Sequence, residues 1–472
     1  MRLIAFVLSA CLIIPGCKNT NEAANNAPLR EAQWTLNSEA DDFHTPFALL
    51  QNNTGDIINA YSSAAHTGGN WEYRVGISRV SPQGEVRDTN LYDDPYHHTL
   101  PTDEVVQLSR SPALLSFANG DLLAMSEKGN MFQLTQAGAL MHQFQLGELG
   151  FDKFKLVAYN AKRACFSGRN ETAAALLCLT PSGAVSWQKA VPLEANIERD
   201  SAPSLQGAFL GNGDLLDARA ETNGVTLTRR NESGDTVWSS RLVLPESIRR
   251  IINVIALGDG AAIALNETAE GNVKSHRVLL VDGSGKAKFN ETGAGEVRIL
   301  SYDNNSYLRL VEPDNIAAGY GNSSADLFRH DAAGKALWKQ KLALEDIGTE
   351  IDYLSDLQIS VRQGVINVLQ NKQSVRLYSP VVVPVGYFRF IDNVFVSRFG
   401  GDGKLLAEDV IGRLNYLVDY EGFIFKFNQY GFYPKVMLDT GTQYVLSGLS
   451  YVKGSNEGPD AVPTLASYAL SR

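Results

Sequence analysis

One hairpin pattern recurs along most of this chain and constrains its fold more than any other feature. Each copy has alternating apolar residues, a polar turn that ends in glycine, and a second strand, as in "LFRHDAAGKALW" around Gly334. Glycine accepts the positive φ that such turns require, so each copy predicts a β-hairpin. The seven copies are centred on Gly84, Gly138, Gly183, Gly234, Gly285, Gly334 and Gly403.

A second turn lies upstream of each hairpin, so that one repeat contains four strands, A to D. Examples are "FANGDLL" and "LGNGDLL", and Asn-Gly between apolar runs is a strong hairpin signal. These A–B turns fall around Gly55, Gly120, Lys162, Gly213, Gly260, Asn305, Gly364 and Gly441. Four antiparallel strands in about fifty residues predict one blade of a β-propeller.

The two sets of turns differ in number, and the difference predicts how the ring closes. Eight A–B turns accompany seven C–D turns, and "TLASYALSR" (464–472) resembles a strand C with no strand after it. At the other end, "REAQWTLN" (30–37) has the Trp-bearing character of a strand D. We therefore expect an all-β fold in residues 31–472, a single β-propeller of eight four-stranded blades whose N-terminal strand completes the C-terminal blade. Seven blades are the fallback.

The length of the repeat and the half-blades at the termini argue against two other β architectures. A β-helix repeats over far shorter units, and separate β-sandwiches would not leave matching half-blades at both termini. The stretch "LPESIRRIINVI" (244–255) fits a helix, although its second half equally fits a strand A. Aromatic residues stand four positions after four of the turn glycines, and we expect them to pack between blades: Trp187, Trp238, Phe289 and Trp338.

The N-terminus has the pattern of an export signal. Arg2 precedes the apolar run "LIAFVLSACLII" (3–14), which is too short to span a bilayer. The following "IPGC" resembles the bacterial lipobox, and this resemblance implies a signal peptide in residues 1–17, acylation of Cys17 and placement in the outer membrane, because Lys18 is not Asp. An ordinary secretion signal with an incidental Cys17 is the alternative. Residues 18–30 are polar and predict a flexible tether.

Two of the four cysteines remain after the signal. Cys11 lies inside the signal and Cys17 is the acylation site, which leaves Cys165 and Cys178 on either side of "SGRNET". The flanking strands would place the two thiols opposite each other across a hairpin. In an exported protein this pattern predicts a disulfide.

Charge and composition exclude one class of partner. The 472 residues contain 52 acidic and 42 basic side chains, a net charge of −10, and no Lys/Arg cluster stands out. A nucleic-acid partner is therefore not expected.

Long segments are concentrated on one predicted face of the propeller. The A–B and C–D turns share one face, and the B–C and D–A connections share the other. The long, irregular segments are 60–74, 92–104, 311–324, 371–393, 415–434 and 451–463. Apart from 311–324 they belong to units seven, eight and one, plus the connection into unit two, and those units are neighbours in a closed ring. Loops on a rigid scaffold commonly carry function, and Tyr, Trp and Arg supply binding energy at interfaces. The candidate binding residues are Trp71, Tyr96, His97, Tyr387, Arg389, Tyr430 and Tyr433.

No motif predicts catalysis or metal binding. Two carboxylates and two imidazoles occur in "DDPYHH" (93–98), but adjacent His97 and His98 on an extended segment point in opposite directions, which favours a solvated loop. His330 is expected to be exposed because it adjoins a turn. Nucleophile-elbow, zinc-protease and phosphate-loop motifs do not occur, so we predict no catalytic residues and no metal ligands.

The blade sequences resemble two groups of bacterial propeller repeats. "LFRHDAAGKALWKQKL" and "GDTVWSSRLVL" are similar to the quinoprotein-like set, which includes the propeller lipoprotein subunit of the outer-membrane β-barrel assembly machinery. They also resemble exported repeats with an Arg-x-Asp-x-x-Gly-x-x-x-Trp hairpin. Asp331 lies three residues before Gly334 where the quinoprotein pattern places an Asp four before, and there is no adjacent Cys pair. These departures argue against a quinone, and no cofactor is expected.

Together these features predict a lipid-anchored, non-enzymatic propeller of the bacterial cell envelope. It would bind a protein partner, or a glycan, on the face with the B–C and D–A connections. An exported enzyme with its site at the channel mouth, polysaccharide-active or quinone-dependent, is the alternative.

Overall fold

The computed structural model describes most of the chain beyond the predicted signal. The described residues are 29–37, 43–67, 70–94, 113–126, 129–151, 153–170, 172–192, 205–221, 223–244, 248–268, 274–312, 324–343, 351–378, 387–418, 424–429, 431–453 and 459–470. They form eight antiparallel sheets that follow one another along the chain, together with one short 3-10 helix at Leu146–Leu149. The predicted all-β, eight-bladed propeller is confirmed.

The strands are numbered in chain order, and each blade takes four of them except blade 7, which takes five. The first strand is β1 (Trp34–Asn37). Blade 1 contains β2 (Phe43–Gln51), β3 (Ile57–Thr67), β4 (Asn70–Val80) and β5 (Val86–Asp93). Blade 2 contains β6 (Ala113–Ser116), β7 (Leu122–Met125), β8 (Asn130–Leu134) and β9 (Leu140–Gln145). Blade 3 contains β10 (Lys153–Tyr159), β11 (Ala164–Arg169), β12 (Ala174–Leu179) and β13 (Val185–Val191). Blade 4 contains β14 (Leu205–Phe209), β15 (Leu215–Glu221), β16 (Gly224–Arg230) and β17 (Thr236–Val243).

The second half of the ring repeats this order with longer strands. Blade 5 contains β18 (Ile248–Leu257), β19 (Gly260–Thr268), β20 (Lys274–Val281) and β21 (Ala287–Ala294). Blade 6 contains β22 (Glu296–Asp303), β23 (Ser306–Glu312), β24 (Ser324–Asp331) and β25 (Ala336–Ala343). Blade 7 contains β26 (Ile351–Arg362), β27 (Val365–Tyr378), β28 (Tyr387–Phe399), β29 (Leu405–Val418) and a fifth strand, β30 (Ile424–Gln429). Blade 8 contains β31 (Phe432–Asp439), β32 (Gln443–Lys453) and β33 (Pro459–Ala469).

The ring closes as the turn count predicts. β1 pairs antiparallel with β33 and becomes the outer strand of blade 8, with Trp34 opposite Ser467 and Asn37 opposite Thr464. The Thr464 hydroxyl donates to the side-chain oxygen of Asn37 at 3.0 Å. The eighth sheet thus joins strands that are more than 400 residues apart, and the outer edge of β33 is paired.

Glycine and aspartate chemistry shapes the C–D turns. All seven turn glycines have positive φ, between 75° and 89°, as predicted. In blade 6, the Asp331 carboxylate accepts the backbone N–H groups of Ala333 and Lys335, both at 2.9 Å, and the Gly334 N–H donates to the Asp331 carbonyl at 3.0 Å. The turn therefore satisfies its own backbone groups without help from the rest of the fold.

Aromatic residues four positions after the turn glycine in blades 3 to 6, and Trp34 in the closing strand, join neighbouring blades. The Trp338 indole N–H donates to the Gly401 carbonyl of blade 7 at 2.8 Å, and its ring covers Gly403 so closely that a Cβ there would lie 2.7 Å from the ring. Trp34 and Trp238 make the equivalent hydrogen bonds to Pro82 and Gly283, both at 3.0 Å. The expected packing between blades is confirmed, and a side chain at these turn positions would displace the aromatic ring.

Arginines five residues before the turn glycine reinforce the same seam. Arg329 donates to the Gly401 carbonyl at 2.7 Å, contacts the Asp303 carboxylate at 3.1 Å and stacks on the Tyr302 ring at 3.7 Å. Arg229 similarly binds Asp214 at 2.7 Å. Each arginine joins two turns of its own blade to the next blade, and the apolar clusters fill the space between blades.

The disulfide forms where the sequence places it. Cys165 of β11 lies directly opposite Cys178 of β12, and the two are bonded. Both residues are fully buried in the cluster between blades 3 and 4, with Leu176 and Trp187.

Two local expectations are wrong, and one open choice is settled. The segments expected to be irregular loops at 60–74, 371–393 and 415–434 are largely β-strand, because their residues continue the B–C ladders outward and add β30 to blade 7. The stretch at 248–257 is strand β18, which settles the choice between helix and strand. The A–B turn of blade 5 lies at Gly258 and Asp259, and Gly260 already begins β19, where it pairs with Leu257 of β18.

Candidate functional site

The propeller has two unlike faces. The turn face carries the A–B and C–D turns, and the loop face carries the B–C and D–A connections. In blades 7, 8 and 1 the strands of the B–C hairpin are 11 to 14 residues long. In the other five blades they are 4 to 9 residues long. Because the turns stay aligned on the turn face, the extra length projects from the loop face. We call these three hairpins the long hairpins.

The long hairpins place three predicted binding residues at register positions near their tips. In blade 7, Tyr387 pairs with Tyr378 and Arg389 pairs with Arg376. In blade 1, Trp71 pairs with His66. By register, these two tyrosines and two arginines therefore form two alternate cross-strand pairs at the end of the blade 7 ladder.

Tyr433 lies at the base of this region, on the inner strand of blade 8. Its hydroxyl accepts a hydrogen bond from the Asn371 amide of blade 7 at 2.6 Å, and the Lys435 ammonium lies 4.7 Å from its ring centre. The ring also packs against the apolar cluster of blades 7 and 8. In this position Tyr433 joins two blades beneath the long hairpins.

The inner strands of blades 6, 7 and 8 are also tied to one another near the loop face. Arg298 of β22 donates to the Leu357 carbonyl of β26 at 3.1 Å and forms an ion pair with Glu312. Gln358 of β26 donates to the Lys435 carbonyl of β31. These contacts fix the base from which two of the long hairpins project.

The "DDPYHH" segment does not gather its carboxylates into one site. The Asp94 side chain is buried and accepts hydrogen bonds from Ser126 at 2.8 Å and from the Asn130 amide at 2.5 Å, both in blade 2. Asp93 is exposed and lies 3.7 Å from Arg74. Asp94 therefore joins blades 1 and 2, while Asp93 faces solvent. Tyr96, His97 and Tyr430 lie outside the described residues.

Among the described lysines, Lys155 has the largest shift in pKa. It lies on β10, the inner strand of blade 3, and is partly buried. Burial, and to a lesser degree the Arg250 guanidinium of blade 5, lowers the pKa of Lys155 to about 8. Such a lysine is partly neutral at mildly alkaline pH.

Metal-binding clusters and membrane-spanning helices are both absent from the described part of the chain. Within it, no group of three His, Cys, Asp or Glu side chains is placed to hold a metal ion. Across the same residues, no helix has the length and apolar character needed to cross a bilayer.

His330 is buried, so the expectation of an exposed residue is wrong. Only 2% of its surface is exposed, and its ring stacks on Tyr307 of β23 at 5.1 Å. Its Nδ1 lies 3.0 Å from the Gly334 carbonyl. Arg309, itself buried and ion-paired with Glu291 at 2.9 Å, stacks on Phe328 beside it. Sequence spacing shows the turn but not the side chains of other strands that pack around the histidine.

Acidification should destabilise the seam between blades 5 and 6. Burial, followed by the Arg309 charge, lowers the pKa of His276; burial also lowers the pKa of His330. The unfolded chain therefore takes up protons first as pH falls below about 6.5, and stability present at higher pH is lost. We expect the free energy of unfolding to fall from neutral to mildly acidic pH, by about 1.4 kcal/mol per unit of pKa depression. Urea unfolding at each pH measures this change as a lower midpoint concentration.

The matched variants separate this effect from general acid denaturation. His276→Gln combined with His330→Gln should flatten the loss of stability over that pH range, whereas His142→Gln, at an exposed histidine, should leave it unchanged. An equal slope in all three proteins would refute the assignment.

The topology defines the class: an eight-bladed β-propeller closed by its N-terminal strand. The chain matches no family model, and no curated protein matches it. Among solved structures it is similar to Drosophila Plexin A in complex with Semaphorin 1b, at 8% identity and a TM-score of 0.36, covering 94% of this chain and 88% of that one. It is also similar to the β-propeller domain of the Trilobed protease from Pyrococcus furiosus, at 11% identity and a TM-score of 0.32, covering 78% and 98%. At these TM-scores the fold assignment rests on the sheets of the chain itself.

Proposed function

We propose that this chain is a lipoprotein of the bacterial outer membrane, anchored through Cys17, whose propeller binds a protein partner in the cell envelope through the long hairpins. One observation carries the binding role. Three neighbouring blades extend their B–C hairpins from the same sector of the loop face, and the other five do not.

The geometry of these hairpins suits protein recognition. The blade 7 ladder continues without a break in pairing from Ile366 opposite Phe399 to Tyr378 opposite Tyr387. A paired ladder fixes the backbone before binding, which lowers the entropy lost on association. Tyrosine, tryptophan and arginine are the residue types that dominate binding energy at protein interfaces.

Removing one long hairpin should abolish partner binding and leave the propeller folded. We would replace residues 374–391 with Asn-Gly, which joins Gln373 to its partner Asp392 by a tight turn. The bait is the full-length lipoprotein, captured from membranes of its host, and the readout is the amount of each co-purified protein relative to bait. We expect the partner of the unmodified chain to be lost.

A matched edit on the far side of the ring supplies the control. Replacing residues 269–273 with Asn-Gly shortens the connection between Thr268 and Lys274 in blade 5. This variant should retain the partner, and both variants should show cooperative thermal unfolding. The proposal fails if the blade 7 variant keeps its partner, or if both variants lose it equally.

A further inference from the structure

The turn face has an apolar rim. On the outer strands, large aliphatic side chains stand two or three residues after the turn glycine, and six of the seven C–D hairpins carry one. These exposed residues, which we call the apolar rim, are Val86, Leu140, Met141, Val185, Val237, Leu337, Leu405 and Leu406. Single exposed aliphatic residues scattered over a protein surface are common and need no explanation. A set that repeats at equivalent positions around one edge of the ring forms a pattern that does need one.

One sector of this rim combines leucine with lysine. Leu405 and Leu406 of blade 7 are 54% and 53% exposed, and Leu337 of blade 6 is 48% exposed. In the same two blades the residue directly after the turn glycine is a lysine, Lys335 or Lys404. Lysine next to aliphatic side chains at a membrane surface keeps its ammonium among the headgroups while its stem and the leucines contact the acyl region.

The N-terminal segment joins the fold beside this sector. The Arg30 N–H donates to the Val410 carbonyl of blade 7 at 2.7 Å, and its guanidinium donates to the Ala469 carbonyl of blade 8 at 3.5 Å. Leu29, the first described residue, is 39% exposed at the edge of a groove of about 580 Å³ against blade 7. Eleven residues separate it from Cys17, which span at most about 40 Å when extended.

We propose that Leu29, Leu337, Leu405 and Leu406, flanked by Lys335 and Lys404, rest on the lipid surface that holds the acylated Cys17. This inference rests on the proposed function, since the anchor brings the rim to the membrane. A short tether beside blade 7 selects this sector over the equally exposed aliphatic residues of blades 3 and 4. The turn face of blades 6 and 7 then meets the bilayer, and the long hairpins point away from it.

Lysine reactivity reports this contact directly. The acylated protein is reconstituted into vesicles of phosphatidylethanolamine and phosphatidylglycerol, and the chain from Lys18 onward, free in buffer, is the reference. Amine acetylation is followed by mass spectrometry at Lys404, whose side chain is 81% exposed, and at Lys162 of blade 3, which is 75% exposed on the same face. We expect several-fold slower acetylation of Lys404 in vesicles and an unchanged rate at Lys162.

Rim variants test whether the leucines make the contact. Leu405→Ser combined with Leu406→Ser should return Lys404 to its rate in buffer, whereas Val185→Ser combined with Val237→Ser should leave it protected. All four side chains are at least 42% exposed, so neither pair should alter thermal unfolding much.

The outcomes distinguish this inference from the proposed anchor. The mass of the N-terminal peptide shows whether Cys17 is acylated. If it is acylated and Lys404 reacts as fast as in buffer, the rim contact is wrong and the anchor stands. If it is not acylated, the anchor is wrong. The rim contact is then supported if vesicles slow the acetylation of Lys404 in the unacylated chain, and it is wrong if they do not. Protection without vesicles that grows with protein concentration would assign the rim to a second copy and overturn the inference.

Discussion

Replacing Trp34 by alanine should lower the free energy of unfolding by about 2–4 kcal/mol, a large share of the stability of an ordinary domain. The substitution removes the indole hydrogen bond to the Pro82 carbonyl and the ring that covers Gly84 in blade 1. It also weakens β1, a strand of only four residues that pairs with β33 and closes the ring. Urea unfolding followed by far-ultraviolet circular dichroism measures the change.

Trp338→Ala is the matched control, because Trp338 makes the same contacts with Gly401 and Gly403 inside the continuous part of the chain. Both variants should lose similar stability. Only Trp34→Ala should also speed amide hydrogen exchange in β33, because that strand then loses its outer neighbour. A loss below about 1 kcal/mol for Trp34→Ala would show that the closing strand contributes little.

Gly403→Ala should cost about 3 kcal/mol through two separate effects. Gly403 has a φ of +81°, a conformation in which a Cβ is strained by about 1–2 kcal/mol. The new Cβ would also lie 2.7 Å from the Trp338 ring, which must move and release its contact with blade 7. Thermal or urea unfolding of the purified variant gives the sum of both effects.

Gly55→Ala isolates the first effect. Gly55 has a φ of +88°, and a Cβ there would have nothing nearer than the Gln51 amide at 4.0 Å. This variant should therefore lose only the strain energy. Equal losses for Gly55→Ala and Gly403→Ala would mean that the tryptophan adapts at no cost, and that the seam between blades tolerates a side chain.

The repeat could be predicted because its chemistry is local. A turn glycine and an Asp such as Asp331 act within one hairpin, and the tryptophan that joins the next blade stands at a fixed spacing after the glycine, so the sequence shows all three directly. Counting such turns also predicts that β1 pairs with β33, because each end of the chain has one strand without a partner in its own repeat. The disulfide between Cys165 and Cys178 follows from the same hairpin logic.

Contacts between blades are much harder to predict. His330 is buried beside Tyr307, and the neighbouring Arg309, which lies 21 residues away in sequence, is ion-paired with Glu291 of blade 5. The long hairpins of blades 7 and 1 were expected as irregular loops because Gly, Pro and Ser interrupt their apolar alternation near the tips. Of the predicted binding residues, the structure relates Tyr433 to its neighbours, gives register positions for Trp71, Tyr387 and Arg389, and leaves the others outside the described residues.

The pairing of β1 with β33 also imposes an order of events on the newly made chain. β1 is made first, but its partner strand ends at Ala469, so β1 must wait unpaired while seven blades assemble behind it. Contacts of such high sequence separation form slowly, because the loop entropy is lost before the pairing is gained. During that interval the exposed backbone edges of β1 and of the unfinished last blade offer sites for mispairing. We therefore expect this protein to depend on being held apart from other copies until its last residues are available.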